Sequence, residues 1–113
     1  MRIVLVDKDN QCLTKLEGIL ERSNPQDDIL LFTDSYRALD YISSYTVDEV
    51  YIEIDMYDTT GLALTRQIKE MSKYIKVILM ASSEEYAIEA WRVHADYFLV
   101  KPVTLEAIWQ MRE

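Results

Sequence analysis

Acidic and basic residues stand directly after short apolar runs in this sequence, at the places where buried strands would end. Asp7 and Lys8 follow the run IVLV, Glu53 and Asp55 follow VYI, and Lys101 follows YFLV. Carboxylates grouped in this way can hold a divalent cation. An ammonium group can take the place of that cation by pairing with Asp7 or Glu53. The sequence therefore indicates a charged site whose acids are neutralised by a metal ion or by lysine.

Five apolar runs predict the strands that must position these residues. Their hydrophobicity is continuous rather than alternating, which is typical of strands that are covered on both faces. Between the runs, apolar residues recur at three- and four-residue steps, as in helices with one buried face. The runs are residues 3–6, 29–32, 50–52, 77–80 and 97–100, and the helical residues are Leu13, Leu16, Ile19, Leu20, Leu39, Ile42, Leu64, Ile68, Met71, Ile88, Trp91, Leu105, Ile108 and Trp109.

The alternation of strands and helices predicts an α/β fold with right-handed crossovers and a parallel sheet between two helical layers. We expect a (βα)5 three-layer sandwich whose five strands have the flavodoxin-like order 2-1-3-4-5. In an open parallel sheet the ligand site lies beyond the carboxyl ends of the strands. The acids and lysines named above should therefore gather at one edge of the sheet.

Capping residues support three of the predicted helix starts. Asp9 or Asn10 can cap the first helix and Asp34 the second, since short polar side chains accept from the free N–H groups of a first turn. Ser82 and Glu85 have the spacing of a capping box before the fourth helix.

Composition limits the class of protein. A chain of 113 residues that is 50% hydrophobic has the size of one domain, here residues 1–113. Its formal net charge of −8 disfavours direct binding to nucleic acid or to anionic lipid. No apolar run is long enough to span a membrane, so we expect a cytoplasmic protein. Cys12 is the only cysteine, which excludes an internal disulfide.

The sequence resembles a response-regulator receiver domain over nearly its whole length. The resemblance rests on the spacing from Glu53 to Gly61, on the stretch EYAIEAWRVHADYFLVKP, on Phe98 and on Lys101-Pro102. It implies a module of two-component signalling, not a turnover enzyme, with a sensor histidine kinase or another regulatory protein as partner. The resemblance also implies a phosphoacceptor at the end of strand 3, a pair of acids after strand 1 and a switch made by the positions of Ala81 and Phe98.

Three positions depart from the pattern that this resemblance implies. Glu53 stands where an acceptor Asp is expected, Lys8 where a metal-binding acid is expected, and Ala81 where a hydroxyl is expected; only Asp7 and Lys101 match. An ammonium about 4 Å from a cation opposes it by about 4 kcal/mol at an effective dielectric of about 20. We therefore expect no Mg²⁺ cofactor and no phosphorylation by the usual route.

Two interpretations of Glu53 stay open. In the first, the longer side chain of Glu53 carries negative charge toward the phosphoryl position and mimics the phosphorylated state, with Lys8 and Lys101 as counter-ions. In the second, Glu53 is a neutral substitution without a role in signalling. A working Mg²⁺-dependent receiver that uses Asp55 or Glu53 is the first alternative. A flavodoxin-like cofactor binder is the second, although the turn DKDN lacks the Gly, Ser and Thr that cradle a phosphate.

The fourth helix, fifth strand and fifth helix are the expected interaction surface, because the resemblance places a homodimer contact there. Tyr86, Trp91 and Trp109 would anchor it. We also expect the chain to be the N-terminal part of a longer protein with a DNA-binding output domain. His94 is expected at the end of the fourth helix. Asp9 is expected to cap the first helix rather than to replace a metal ligand.

Overall fold

The computed structural model describes all 113 residues and has the predicted order of elements. The strands are β1 (Arg2–Val6), β2 (Asp28–Phe32), β3 (Glu49–Glu53), β4 (Lys76–Ala81) and β5 (Tyr97–Val100). The helices are α1 (Asn10–Ser23), α2 (Ser35–Ser44), α3 (Gly61–Met71), α4 (Ala87–Arg92) and α5 (Leu105–Arg112). None of the helices has the length and hydrophobicity that crossing a bilayer requires.

The five strands are parallel and lie in the order β2-β1-β3-β4-β5, which confirms the predicted flavodoxin-like sheet. The register pairs Val6 with Ile52, Glu53 with Met80 and Ala81 with Val100. The strands thus end at nearly the same level. Side chains that follow β1, β3 and β5 are therefore brought to one edge.

The sheet separates two hydrophobic cores of unequal size. The larger has 17 buried residues and lies against α2, α3 and α4, while the smaller has nine and lies against α1 and α5. β1, β3 and β4 contribute buried side chains to both cores, which explains their continuous apolar runs. The central strands are thus covered on both faces, as the sequence predicts.

Side-chain caps begin most of the helices. The side chains of Asp9 and Asp34 accept from the first turns of α1 and α2, as predicted, and Thr60 and Thr104 do the same for α3 and α5. The expected capping box of Ser82 and Glu85 is wrong. Ser83 accepts from the N–H of Glu85 and caps a short 3₁₀ turn, Glu84–Tyr86, and α4 follows it.

The predicted buried face of α4 is also wrong. Ala90 and Val93 pack into the larger core, whereas Ile88 and Trp91 are exposed. Ile88 and Trp91 are three residues apart, and so are Ala90 and Val93, so helical spacing alone fits either pair as the buried face. Met71 at the end of α3 is likewise exposed rather than buried.

Candidate functional site

Three charged side chains meet at the carboxyl edge of the sheet and form what we call the ion triad. The Nζ of Lys101 donates to Asp7 Oδ2 at 2.6 Å and to Glu53 Oε1 at 2.9 Å. Asp7 and Glu53 are only 2% and 6% exposed, and the side chain of Lys101 is 19% exposed. One ammonium therefore bridges two buried carboxylates at the ends of adjacent strands and compensates for one of their two negative charges.

Glu53 occupies a strand position because its carboxylate has partners at that edge. It is the last residue of β3, and its Oε2 also accepts from the N–H of Asp55 at 3.4 Å. A buried carboxylate is tolerated where an opposite charge and hydrogen bonds compensate for lost hydration. Glu53 therefore lies inside the charged site rather than being an error in the strand pattern.

Lys101 is stabilised in its charged form by the same contacts. Burial alone would lower the pKa of its ammonium, but the hydrogen bonds and negative charges of Asp7 and Glu53 outweigh burial and raise that pKa above its ordinary value. The peptide bond between Lys101 and Pro102 is cis. Lys101 is thus a firmly cationic bridge between β1, β3 and β5.

Lys8 does not pair with Asp7 or Glu53, so the predicted pairing is wrong. Its Nζ donates to Asp55 Oδ2 at 2.7 Å and lies 5.0 Å from the ring centroid of Tyr57. The hydrogen bond from Lys8 to Asp55 raises the pKa of the lysine. Asp55, whose side chain is 79% exposed, points outward to meet Lys8. Lys8 and Asp55 therefore form a second pair at the rim of the site.

The loop from β3 to α3 is held at both ends. Asp58 accepts from the N–H and the hydroxyl of Ser35 at the start of α2, and the N–H of Gly61 donates to the carbonyl of Ile54 at 2.8 Å. A Cβ on Gly61 would lie 2.3 Å from the carbonyl oxygen of Glu53, so only glycine fits this close approach. These contacts fix the backbone that follows the acid of β3.

Asp9 caps α1 and is not part of the ion triad. Its Oδ1 accepts from the N–H of Gln11 at 2.8 Å, and this hydrogen bond is the main cause of the lowered pKa of Asp9. Its other oxygen accepts from the thiol of Cys12 at 3.5 Å. Both oxygens are therefore engaged within the first turn of the helix.

The carboxylates that could bind a divalent cation are each paired with a lysine. Mg²⁺ requires a nearly octahedral set of oxygen ligands. Here Asp7 and Glu53 each give an oxygen to Lys101, and Asp55 is paired with Lys8. No group of three or more His, Cys, Asp or Glu side chains is arranged to hold a metal ion.

The two expected switch positions lie on adjacent strands, β4 and β5, but are offset by two residues, since Phe98 pairs with Leu79 and Ala81 pairs with Val100. Ala81 is the last residue of β4, is 2% exposed and has no hydroxyl. Phe98 is partly buried and packs against the larger core. The residues after β4, Ser82 and Ser83, lie outside the ion triad, and Ser83 is used as a cap.

Large apolar side chains are exposed on α4, β5 and α5. Trp91 is 76% exposed and Trp109 is 55% exposed, so neither is a core residue. Tyr86 is less exposed and belongs to the 3₁₀ turn. His94 lies just beyond α4 with a left-handed φ of 65°, and its N–H donates to the carbonyl of Trp91. The expected surface is therefore rich in unburied aromatic area.

A second charged site, which sequence reasoning missed, lies at the opposite edge of the sheet. Both terminal nitrogens of Arg112 on α5 donate to the carboxylate of buried Glu49, at 2.9 and 3.1 Å. The hydroxyl of Tyr51 donates to Glu49 at 3.4 Å, and burial together with the Glu49 charge raises the pKa of Tyr51. The only signal was an acid at the start of a buried strand; its partner is 63 residues away.

The comparisons with known proteins agree with this architecture. The family model for the response regulator receiver domain matches residues 3–113. The chain is 27% identical over 109 residues to the Fimbriae Z protein of Salmonella typhimurium, covering 95% of the chain and 52% of that protein. It is 24% identical over 110 residues to the sensory transduction protein LytR of Staphylococcus epidermidis, covering 97% of the chain and 44% of that protein. The chain thus spans about half the length of these relatives.

A solved structure shows the same fold. The two-component response regulator from Clostridium difficile superposes with a TM-score of 0.86 at 26% identity, covering 97% of this chain and 90% of that one. The strand order is common to receivers and to flavodoxin-like cofactor binders, so it is the family match that favours the receiver over the cofactor binder. The match over residues 3–113 places this chain in the family of response regulator receiver domains, the signalling modules of two-component systems.

Proposed function

We propose that this receiver domain signals without phosphorylation by the usual Mg²⁺-dependent route. The observation that carries the proposal is the position of Lys101, whose ammonium bonds Asp7 and Glu53 at once. Both oxygens of Glu53 are thereby engaged, Oε1 by Lys101 and Oε2 by the N–H of Asp55. Receiver domains interact with histidine kinases and other regulators, and we infer that this one is read through such contacts.

Phosphoryl transfer depends on positioning and on neutralising the charge of the transferred group. In this site the metal-binding acid is replaced by Lys8, which pairs with Asp55. The strand-4 hydroxyl is replaced by Ala81. Both changes remove groups that would orient or neutralise a phosphoryl group, so each lowers the rate independently of Glu53.

The contact between Glu53 and Lys101 also supports the mimicry interpretation over neutral drift. The added methylene of Glu53 brings its Oε1 to 2.9 Å from the lysine, so a negative charge already engages Lys101. We propose that this contact holds the domain in one signalling state. Control would then come from a partner protein or a ligand rather than from a phosphodonor.

Phosphorylation can be tested by incubating the domain with Mg²⁺ and acetyl phosphate and measuring its intact mass. We expect no gain of a phosphoryl group by the native chain. A variant with Glu53→Asp, Lys8→Asp and Ala81→Thr restores the expected groups and serves as the positive control. A stable phosphoryl adduct on the native chain would contradict the proposal.

Asp55 is the alternative acceptor, because it is the most exposed acid of the cluster. Its pairing with Lys8 opposes that role, since the lysine occupies its Oδ2. If an adduct forms, Asp55→Asn and Glu53→Gln variants identify its position. Loss of the adduct in Asp55→Asn alone would establish a working receiver with a displaced acceptor.

We further propose that the domain regulates a C-terminal DNA-binding output domain. The support is the likeness to the transcriptional regulatory protein YpdB of Escherichia coli, which is 20% identical over 123 residues and of which the chain covers 50%. In the full-length protein, Lys101→Met should change output from a reporter of its target promoter. Unchanged reporter output at equal protein abundance would count against regulation by this site.

Exposed aromatic area supports a homodimer through α4, β5 and α5. Trp91 and Trp109 are the largest exposed apolar side chains of that surface. Size-exclusion chromatography with light scattering should show a dimer that Trp91→Ala weakens. Tyr36→Ala, an exposed aromatic of α2, is the matched control and should leave the mass unchanged. A monomer in all three proteins would remove this part of the proposal.

A further inference from the structure

A cavity of about 430 Å³ lies between α1 and the segment that connects β5 to α5. Small-molecule sites in proteins occupy about 300–1,000 Å³ and have mostly apolar walls with a few polar groups. This cavity has that composition, with six hydrophobic residues among ten. Leu13, Leu16 and Ile19 of α1 form part of its apolar wall.

The polar groups of the cavity come from the ion triad. Asp7 and Lys101 both line the cavity, whereas Glu53 does not. A carboxylate can accept about four hydrogen bonds. Asp7 accepts one on each oxygen, from the N–H of Asp9 and from Lys101. The carboxylate of Asp7 can therefore accept a further donor that enters the cavity.

Charge around the cavity favours a cationic donor. Within the ion triad, two carboxylates share the single ammonium of Lys101, so one negative charge is not neutralised. Lys8 does not supply the missing charge, because it is paired with Asp55. Lys15 is exposed at the outer wall, where water screens its charge.

We propose that the cavity binds a small amine: a molecule with an apolar body and one protonated amino group. The apolar body would lie against Leu13, Leu16 and Ile19, and the ammonium would donate to Asp7. The proposal goes beyond the proposed function and does not rest on it, because the cavity and its charge are the same whether or not the domain accepts phosphate.

A carboxylate head is the competing choice for the same cavity. Lys101 uses two of its three N–H donors on Asp7 and Glu53, so one is left for an acceptor. An anionic head would, however, add a third negative charge beside two carboxylates and a single ammonium. Head-group charge is therefore the property that separates the two possibilities.

Three probes with the same body test the head group: phenylbutylamine, phenylbutanol and phenylbutyrate. Affinities are measured by calorimetry, and the bound site is located from amide shifts in two-dimensional ¹H–¹⁵N NMR spectra. We expect the amine to bind about tenfold more tightly than the alcohol, as one charge-assisted hydrogen bond implies, and the acid to bind most weakly. Shifts should centre on residues 12–19 and 101–103.

Two substitutions of the same kind test the location. Ile19→Phe places a larger side chain in the wall of the cavity, which reduces its volume, and should weaken amine binding at least tenfold. Ile88→Phe makes the identical change on exposed α4, on the other side of the sheet, and should leave the affinity unchanged. Asp7→Asn should reduce the affinity for the amine to that for the alcohol, and circular dichroism should confirm that this variant is folded.

Several results would overturn the proposal. The acid binding as tightly as the amine would show that Lys101, not Asp7, receives the ligand. Equal effects of the two phenylalanine substitutions would place binding elsewhere. Failure of all three probes to shift the amides of the cavity would leave this groove to a side chain of a partner protein and would refute the small-molecule site.

Discussion

Replacing Lys101 by methionine tests the central feature of the site. The substitution keeps the length and apolar stem of the side chain but removes the ammonium that joins Asp7 and Glu53. Removing one partner of a buried ion pair costs about 3–5 kcal/mol of unfolding free energy, because the remaining charge is buried without compensation. The side chain of Lys101 is 19% exposed, so we expect a loss near the lower end, about 3 kcal/mol. Domains of this size have about 5–15 kcal/mol in total.

Urea denaturation followed by far-ultraviolet circular dichroism measures this loss. Tryptophan fluorescence is a poor reporter, because Trp91 and Trp109 are already exposed in the folded chain. Lys15→Met is the matched control, since Lys15 is exposed and forms no salt bridge; its effect should stay within about 0.5 kcal/mol. If the two lysine variants have the same stability, the ion triad does not stabilise the fold.

A double variant isolates the contribution of the pair. Adding Glu53→Gln to Lys101→Met removes one of the two uncompensated carboxylates, so we expect it to recover about 1–2 kcal/mol. The single Glu53→Gln variant completes the cycle. Strict additivity of the two single changes would show that Lys101 and Glu53 are not energetically coupled, despite their 2.9 Å contact.

The pH dependence of stability tests independently whether the charged form of Lys101 stabilises the fold. The pKa of Lys101 is raised in the folded state by Asp7 and Glu53, against the lowering effect of burial. Its stabilisation is therefore complete below the unfolded-state pKa of about 10.4 and is lost as the pH rises through the folded-state value. The stability difference between the native chain and Lys101→Met should be constant near neutral pH and should narrow above about pH 10.4. A difference that persists or widens in alkali would contradict this assignment.

Two further predictions concern backbone and charge. Gly61→Ala should destabilise the domain by about 1–3 kcal/mol in urea denaturation, because the added Cβ would collide with the end of β3. Gly18→Ala on α1 is the control: its Cβ would have no atom within 4 Å, so it should stabilise the domain by about 0.5–1 kcal/mol. Equal effects of the two substitutions would refute the close approach at Gly61. Arg112→Met should lower the free energy of unfolding by about 1.5–3 kcal/mol, because it leaves Glu49 buried without its partner. Urea denaturation measures this loss against Arg66→Met, a control at an exposed arginine. A loss no larger than that of the control would mean that the Arg112–Glu49 pair does not stabilise the fold.

The parallel sheet and the edge that carries the site follow from the sequence, because continuous apolar runs specify strands buried on both faces. The strand order does not follow from the residues themselves; it was expected because five strands alternating with helices favour the flavodoxin-like order. The position of Glu53 at the end of β3 and its contact with Lys101 were both predictable, since parallel strands bring their carboxyl ends together. The partner of Lys8 was not. The pairing of Lys8 with Asp55 depends on the path of the loop after β3. That path is fixed by contacts between residues distant in sequence, such as Asp58 and Ser35.

The buried face of α4 was also predicted wrongly. Helical spacing fits both Ile88 with Trp91 and Ala90 with Val93, so periodicity does not decide which pair is buried. Ala90 and Val93 face the sheet, and Ile88 and Trp91 do not. Hydrophobicity favours the larger residues for the core, so the sequence pattern pointed to the wrong face of α4.

The unequal division of the core has a consequence for motion. Only nine buried residues lie on the side of α1 and α5, and α5 contributes a single fully buried side chain, Ile108. Segments with few buried apolar contacts open at a fraction of the free energy of global unfolding. Transient detachment of α5 should therefore cost less than global unfolding, and its amides should exchange with deuterated solvent sooner than those of the central strands.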